Sequence, residues 1–348
     1  MKAQKKYLKM STIISEYTDS PLKITDTIES LGDTKELIFD YSFEGFHITM
    51  CDWFDTLVRA CQNKGIKKLH VISGDLNFEE NYKRHTQNKK YEDIDITVEG
   101  KLIFEEKAYN DLVGLINHGY HNFSIDSLNY RNNKENREYV YLYKNGCSRE
   151  HRLFFFANLT KNGNIKKSIR SWLSRYGKAT KANMIHTIEN YGCELDISDY
   201  MFTFSRNHFL DFDGKTVAKH LNQSRLNPIH FSNTYFSFVT DSVFSEDELF
   251  ISEKVFQPIQ ALHPFLYAGS PHSLKKLHEL GYETFPEIFN ESYDDIIDRK
   301  ERAYALLHEV NRMCEIPNDE LNDMFTNNDI EKKLIHNYER FMDVGQRI

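Results

Sequence analysis

The chain has 348 residues, a net charge of −8, 40% hydrophobic residues, 25 Phe and 20 Tyr. At ~100–200 residues per domain, this length predicts two domains, each able to bury its own core. The apolar and aromatic content excludes a disordered chain. The acidic balance leaves no global basic field for nucleic acid or anionic membrane, although a local basic patch stays open.

The N-terminus, MKAQKKYLKMSTIISEY, is basic but has no apolar core of a secretory signal. No window approaches ~18 consecutive apolar residues, so no membrane insertion is expected. The five cysteines, Cys51, Cys61, Cys147, Cys193 and Cys314, are odd in number and form no CxxC pair. They read as reduced, mostly buried thiols of a cytoplasmic protein.

Residues 1–35 are polar and mixed and predict one lead-in strand or helix. Leu37-Ile38-Phe39 is a short apolar run, the mark of a strand buried on both faces. Asp52–Lys64 carries Trp53, Leu57, Val58 and Cys61 on one helical face and stops at Gly65. Leu69–Gly74 is the next strand, so strand, helix and strand make a parallel βαβ unit. A helix over Glu79–His85, a strand through Ile94, Ile96 and Val98, and an amphipathic helix over Phe104–Asn117 follow. Asn122–Tyr143 is more polar, with RNNKENRE at its middle, and is expected to contain an exposed loop.

In the second half, Leu153–Phe156 (LFFF) reads as a buried strand, Asn158–Asn164 as a basic loop and Ile165–Tyr176 as a helix. Residues 183–234 give only a mixed segment. Tyr235–Thr240 is a strand, Val255–Leu262 a helix, and Pro264–Ala268 a strand. Ser270-Pro271 opens the next helix as N-cap and first helical residue. Tyr282–Phe285 is a short strand, Tyr293–Met313 a long helix, and Asn318–Ile348 a charged helical tail. The pattern predicts an α/β protein with two Rossmann-like domains facing a cleft, residues 1–148 and 149–300, and a helical extension, 301–348. There is no GxGxxG and no Walker A sequence, which excludes an ordinary dinucleotide site and a P-loop.

The richest stretch is Tyr235–Ile259, a strand and an acidic loop feeding Ser252-Glu253-Lys254. Ser252 is a good N-cap, which puts Glu253 and Lys254 in the first helical turn. That turn offers free N–H groups and the positive end of the helix dipole, an anion site. Lys254 adds a charge suited to a diphosphate, and Glu253 can accept from both hydroxyls of a ribose. Glu-Lys in a first turn is also common surface chemistry. Pro258 should kink or shorten this helix.

The run from Ser252-Glu253-Lys254 through Pro264-Phe265, Gly269 and the ESYD at Glu291 resembles the C-terminal donor domain of GT-B glycosyltransferases. The likeness is to fucosyltransferase-like and exostosin-like enzymes, particularly phage-encoded ones. It covers about residues 235–300 well and the rest loosely. It implies that Glu253 binds the donor ribose and Lys254 the phosphates. Asp241 stands where such enzymes often carry Glu. Lys161, Lys167 and Arg170 fall where they place a basic loop against the diphosphate, with Arg149 and Arg152 as substitutes. A solvated helix face accounts for each of these basic residues as well. At Glu291-Ser292, Ser292 is expected to cap the long helix, with Glu291 either pointing at the cleft or, as the favoured reading, sharing a purely capping role.

Glycosyl transfer needs a base and a way to stabilise the leaving diphosphate. Glu44 and then Asp75, at carboxyl ends of predicted parallel strands, are the candidate bases, with His47 and His70 behind them. Each carboxylate could equally cap the helix that follows it. Asp211-Phe212-Asp213 spells DxD but reads as a turn, so no metal and no cofactor beyond the nucleotide-sugar co-substrate is expected. The expected enzyme is a metal-independent, inverting glycosyltransferase. Its acceptor is a glycan or a hydroxymethylated base of phage DNA, the latter served by the basic band Lys161–Lys181. The alternative is a non-catalytic nucleotide-binding or interaction protein that kept the fold. The missing glycine fingerprint disfavours an oxidoreductase.

Overall fold

The computed structural model of the chain describes residues 4–9, 20–42, 47–49, 52–117, 137–145, 149–172, 181–192 and 228–344. They form a mixed α/β protein with two four-stranded sheets, and every strand pairing is parallel. Two compact units divide the chain: Met1–Phe104 with Asp247–Phe250, and Glu105–Glu246 with Ile251–Ile348. The division falls at Phe104 rather than near 148.

The first unit runs β1 (Gln4–Lys9), α1 (Ser20–Glu29), β2 (Thr34–Tyr41), α2 (Trp53–Lys64), β3 (Lys68–Ser73), α3 (Phe78–Thr86) and β4 (Asp95–Gly100). Both a strand and a helix occupy the lead-in region. The strand order is β1-β2-β3-β4. Each crossover steps the same way, and α1 packs on α2, as right-handed connections in one direction require. Period-two alternation turns Leu37, Phe39 and Tyr41 into the core with Leu69 and Val71. There they meet Trp53, Phe54, Leu57 and Val58 of α2. Ile38, on the other face, is only half-buried, so β2 is not buried on both faces as its apolar run suggests. Gly65 ends α2 at φ 74°, its N–H reaching the carbonyls of Cys61 and Gln62. The segment Asp247–Phe250 joins this unit through Leu76 N–H, which donates to Leu249 O at 2.7 Å.

The second unit runs α4 (Phe104–Asn117), β5 (Tyr139–Asn145), α5 (Glu150–Lys161), a 3-10 turn (Asn164–Lys167), β6 (Ser168–Trp172), α6 (Lys181–Tyr191), α7 (Pro228–Ser232), β7 (Thr234–Thr240), α8 (Glu253–Gln260), β8 (Phe265–Ala268), α9 (Ser273–Glu279), a 3-10 turn (Glu291–Asp295), α10 (Arg299–Glu315), α11 (Asn318–Phe325) and α12 (Asn328–Met342). One face of its sheet is aromatic: Tyr141, Tyr143, Phe236 and Phe238 stack across β5 and β7 and meet Phe155, Phe289 and Phe325. The other face presents Leu142 and Ile169 to Phe231 and Ala261.

Several elements differ from the sequence reading. LFFF is the centre of helix α5, whose residues His151–Ala157 are all buried. A helix buried all round has no polar face, so its apolar run looks like an interior strand. Ile165–Tyr176 does not start a helix, because its described residues are a 3-10 turn and β6. Tyr139–Asn145, which begins inside the stretch expected to contain an exposed loop, is an inner strand. Tyr282–Phe285 forms no strand. The helix expected from Tyr293 begins at Arg299, where Asp298 accepts from Glu301 N at 2.8 Å. Helix α9 begins at Ser273, not Ser270, and Asp294 caps it from outside, accepting from Leu274 N and Lys275 N at 3.0 and 3.1 Å.

The strand order of the second sheet is β6-β5-β7-β8. The chain leaves β5 to one side for β6 and returns on the other side to β7. The β5/β7 boundary is therefore a topological switch point, where the flanking connections part and leave a crevice at the carboxyl ends of the strands. Among the described strands, the first sheet has no such reversal.

A close backbone approach gives a test of the first unit. A Cβ at Gly100 would lie 2.5 Å from Asp75 O and 3.0 Å from Leu76 Cα. Gly100→Ala should cost ~1–3 kcal/mol by overpacking and lower the urea midpoint followed by circular dichroism. An unchanged midpoint would show that β4 has room there.

Candidate functional site

At the carboxyl end of β7, Asp241 is fully buried. Its carboxylate accepts from the backbone N–H groups of Ser242 and Ser252 and from the Tyr267 hydroxyl. It therefore ties together the end of β7, the start of α8 and β8. Burial and the adjacent Asp241 charge push the Tyr267 phenol well above its ordinary pKa. Arg152, also buried, donates to the carbonyls of Thr240 and Asp241 at 3.0 and 2.8 Å and pins the same corner. His151 adds a bond to Asp241 O at 3.0 Å and stacks on Phe244. Burial, together with Arg152, holds its imidazole well below the usual range, so it is neutral. Asp241 and Arg152, expected to touch a donor, are instead spent on building the turn.

What that corner presents is Ser252-Glu253-Lys254. Ser252 caps α8, its Oγ accepting from Lys254 N at 3.4 Å. Lys254 Nζ donates to Glu253 Oε1 and Ser242 Oγ, each at 2.9 Å. The two side chains retain 19% and 23% of their exposure for Lys254 and Glu253, so they are reachable but not loose. Burial raises the Glu253 carboxyl, but the Lys254 charge and hydrogen bond outweigh it, and its pKa lies below the ordinary value. Pro258 lies within α8, which runs only eight residues. The first turn thus offers a cation and an ionised acceptor side by side, at the carboxyl edge of a parallel sheet and next to its switch point. A bound oxyanion could take Lys254 from Glu253 and free the carboxylate for hydroxyl groups.

The other expected site residues do not gather here. Lys161 and Lys167 lie before β6, at the amino end of the sheet, opposite the Ser252 turn. Lys167 Nζ donates to Cys314 O, and Arg170 Nη1 donates to Ile165 O at 2.9 Å. Glu291 accepts from Thr284 Oγ1 and Phe285 N at 2.7 and 2.8 Å, and holds a loop. Burial pushes its pKa up to about 7 against those hydrogen bonds. Ser292 does not cap the long helix.

In the first unit, Asp75 is fully buried and accepts from Asn77 N, Asn81 Nδ2 and Leu249 N at 2.9, 2.8 and 3.1 Å. It closes its own turn and fastens Asp247–Phe250. Burial raises its pKa, and the N–H groups oppose the rise. A buried carboxylate with these partners is an anchor rather than an acceptor's base. His47 bonds Thr49 at 2.8 Å, and His70 bonds Thr97 at 2.8 Å. Glu44, Asp211 and Asp213 lie outside the described residues. Among the described residues no group of three or more His, Cys, Asp or Glu could hold a metal, and no helix is long and apolar enough to cross a membrane. Cys61 and Cys314 are free, buried thiols.

Two residues escape the sequence reading. Asp294 caps α9 from 20 positions away, and no local pattern announces it. Lys144 lines a pocket with Lys254, and it is hidden because the sequence pattern does not announce β5. In comparisons with known proteins, no family model, no curated protein and no solved structure matches this chain.

Two outcomes test these assignments. Asp241→Asn aims an amide at groups that need an acceptor and should cost ~1–3 kcal/mol, read by thermal or urea unfolding. Stability equal to the wild type would remove Asp241 from its organising role. Glu291 has its folded pKa raised above the ordinary 4.5, so its contribution is complete below that value and is lost as pH rises through about 7. Relative to wild type, Glu291→Gln should therefore gain stability between pH 5 and 8. A pH-independent difference in Tm would contradict this.

Proposed function

We propose that the second unit binds a nucleoside-diphosphate sugar at the Ser252-Glu253-Lys254 turn and that the protein is a glycosyltransferase. The observation that carries the reading is the Glu253–Lys254 pair on the capped first turn of α8, beside the switch point of a parallel sheet. A diphosphate is drawn by the helix dipole and the Lys254 ammonium. Glu253, acceptor-only when ionised, suits a ribose diol. The resemblance of residues 235–300 to GT-B donor domains points the same way. The two parallel sheets are compatible with a pair of Rossmann-like domains, as that class of enzyme has.

In transfer, the leaving diphosphate gains charge as the glycosidic bond breaks. Lys254 and the helix N-terminus would stabilise that charge without a metal. The acceptor is a glycan or a hydroxymethylated DNA base. Salt-dependent DNA binding favours the second, and its absence at low ionic strength the first. Of the two expected bases, Asp75 has its carboxylate buried and engaged, and Glu44 is the candidate. A non-catalytic nucleotide-binding protein is the competing reading, and such a protein should not hydrolyse a nucleotide sugar slowly without acceptor.

Lys254→Ala should weaken nucleoside-diphosphate affinity by ~10–100-fold, the worth of a charge-assisted hydrogen bond, in calorimetric titration. Unchanged affinity would sink the donor-site reading. Glu253→Gln should lose affinity for the nucleoside diphosphate while keeping that for pyrophosphate.

A further inference from the structure

Registered pairing of β5 with β7 runs from Tyr139–Thr234 to Leu142–Ser237, while the strands continue to Asn145 and Thr240. A cavity of about 30 Å³ lies beyond the last registered pair, at the switch point. Its walls include Leu142, Lys144, Phe231, Ser237, Lys254 and Pro258. Strand alternation places Lys144 on the face of Leu142, away from the stacked Tyr141 and Tyr143. Two lysines, one from the strand and one from the turn already described, thus share one small space.

Their situations differ. Lys254 is balanced by Glu253. Lys144 is half-buried, and its ammonium sits 5.1 Å from the centre of the Phe231 ring. Among the described residues it forms no ion pair. A partly buried cation without an anion costs free energy, and burial pulls the Lys144 pKa down to about 8. None of the described residues that line the cavity is acidic. His230 on α7 is held neutral, its pKa lowered to about 4 by burial and by Lys144. The Ser237 hydroxyl is bonded to His263 at 2.9 Å.

The cavity is larger than the ~10–15 Å³ that one water needs, so it admits a group of a few heavy atoms. Two lysines on one small cavity with no acidic residue among its described walls suit an oxyanion. We propose that Lys144 and Lys254 together hold one phosphoryl group of the nucleoside diphosphate, with the nucleoside lying outside the cavity. The inference deepens the proposed function and rests on it for the identity of the ligand. Lys144 is a binding residue here, and no bond is made or broken at it.

The test is calorimetric titration of the full chain with inorganic pyrophosphate at low ionic strength. Lys144→Gln should lose at least about tenfold in affinity, as expected for a lost charge-assisted bond. Lys144→Arg should stay within about threefold of wild type, because a guanidinium keeps the charge. From pH 7 to 9 the wild type should lose severalfold in affinity relative to Lys144→Arg, since Lys144 gives up its proton as pH passes about 8 and arginine does not. This comparison needs no variant that removes the cation, and the ionisation of pyrophosphate is common to both proteins. The proposal is overturned by a wild type that fails to bind pyrophosphate, by a Lys144→Gln protein that binds as wild type does, or by equal pH dependence in wild type and Lys144→Arg. Lys144-dependent pyrophosphate binding in a protein that neither binds nor hydrolyses any nucleotide sugar would overturn the donor reading alone. Nucleotide-sugar turnover with full pyrophosphate affinity in Lys144→Gln would overturn this proposal alone.

Discussion

The buried carboxylate of Asp241 organises the second unit. It is fully buried, so its charge is sustained by the donors around it. Those donors come from Ser242, Ser252 and Tyr267. Together they bring the end of β7, the N-cap of α8 and the neighbouring strand β8 to one point. Arg152 and His151 bond the carbonyls of the same corner. The exposed chemistry of the Ser252 turn depends on this interior arrangement, because Glu253 and Lys254 can be aimed only if the residue before them is fixed.

The same economy explains the first unit's part in the acidic loop. The loop from Asp241 to Ser252 does not stay with the sheet it leaves. Residues Asp247–Phe250 belong to the first unit, and Asp75, Asn81 and Leu76 bond them there. A carboxylate at the end of a parallel strand suggests catalysis when only its position is known. Asp75 has that position, but its carboxylate faces inward to backbone N–H groups. Position along a strand does not determine which way a side chain's hydrogen bonds run.

Much of the fold was legible in the sequence. The β2–α2–β3 unit followed from a short apolar run, one apolar helical stripe and the stop at Gly65. The Ser252 cap and the short helix holding Pro258 followed from residue type alone. Where the reading failed, local pattern was ambiguous for a physical reason. LFFF belongs to a helix with no solvent face. YVYLYKN is an inner strand whose tyrosines and lysine look amphipathic but lie in the core and against a cavity. Ser168–Trp172 is a short edge strand with a charged residue in it. At the site, Ser252, Glu253 and Lys254 were legible because their roles are local. The roles of Asp241, Arg152, Glu291 and Asp294 depend on partners distant in sequence, and Lys144 depended on recognising β5.

We propose that the carboxyl edge of the second sheet, at the β5/β7 switch point, holds a nucleoside diphosphate. The most direct measurement is hydrogen–deuterium exchange of the full chain with and without uridine, guanosine and thymidine diphosphate sugars. A bound ligand should slow exchange in peptides spanning Ser242, Ser252–Lys254 and Lys144–Asn145, where its phosphates would meet the two lysines. Saturating ligand that leaves those peptides unchanged while protecting amides elsewhere would contradict the account.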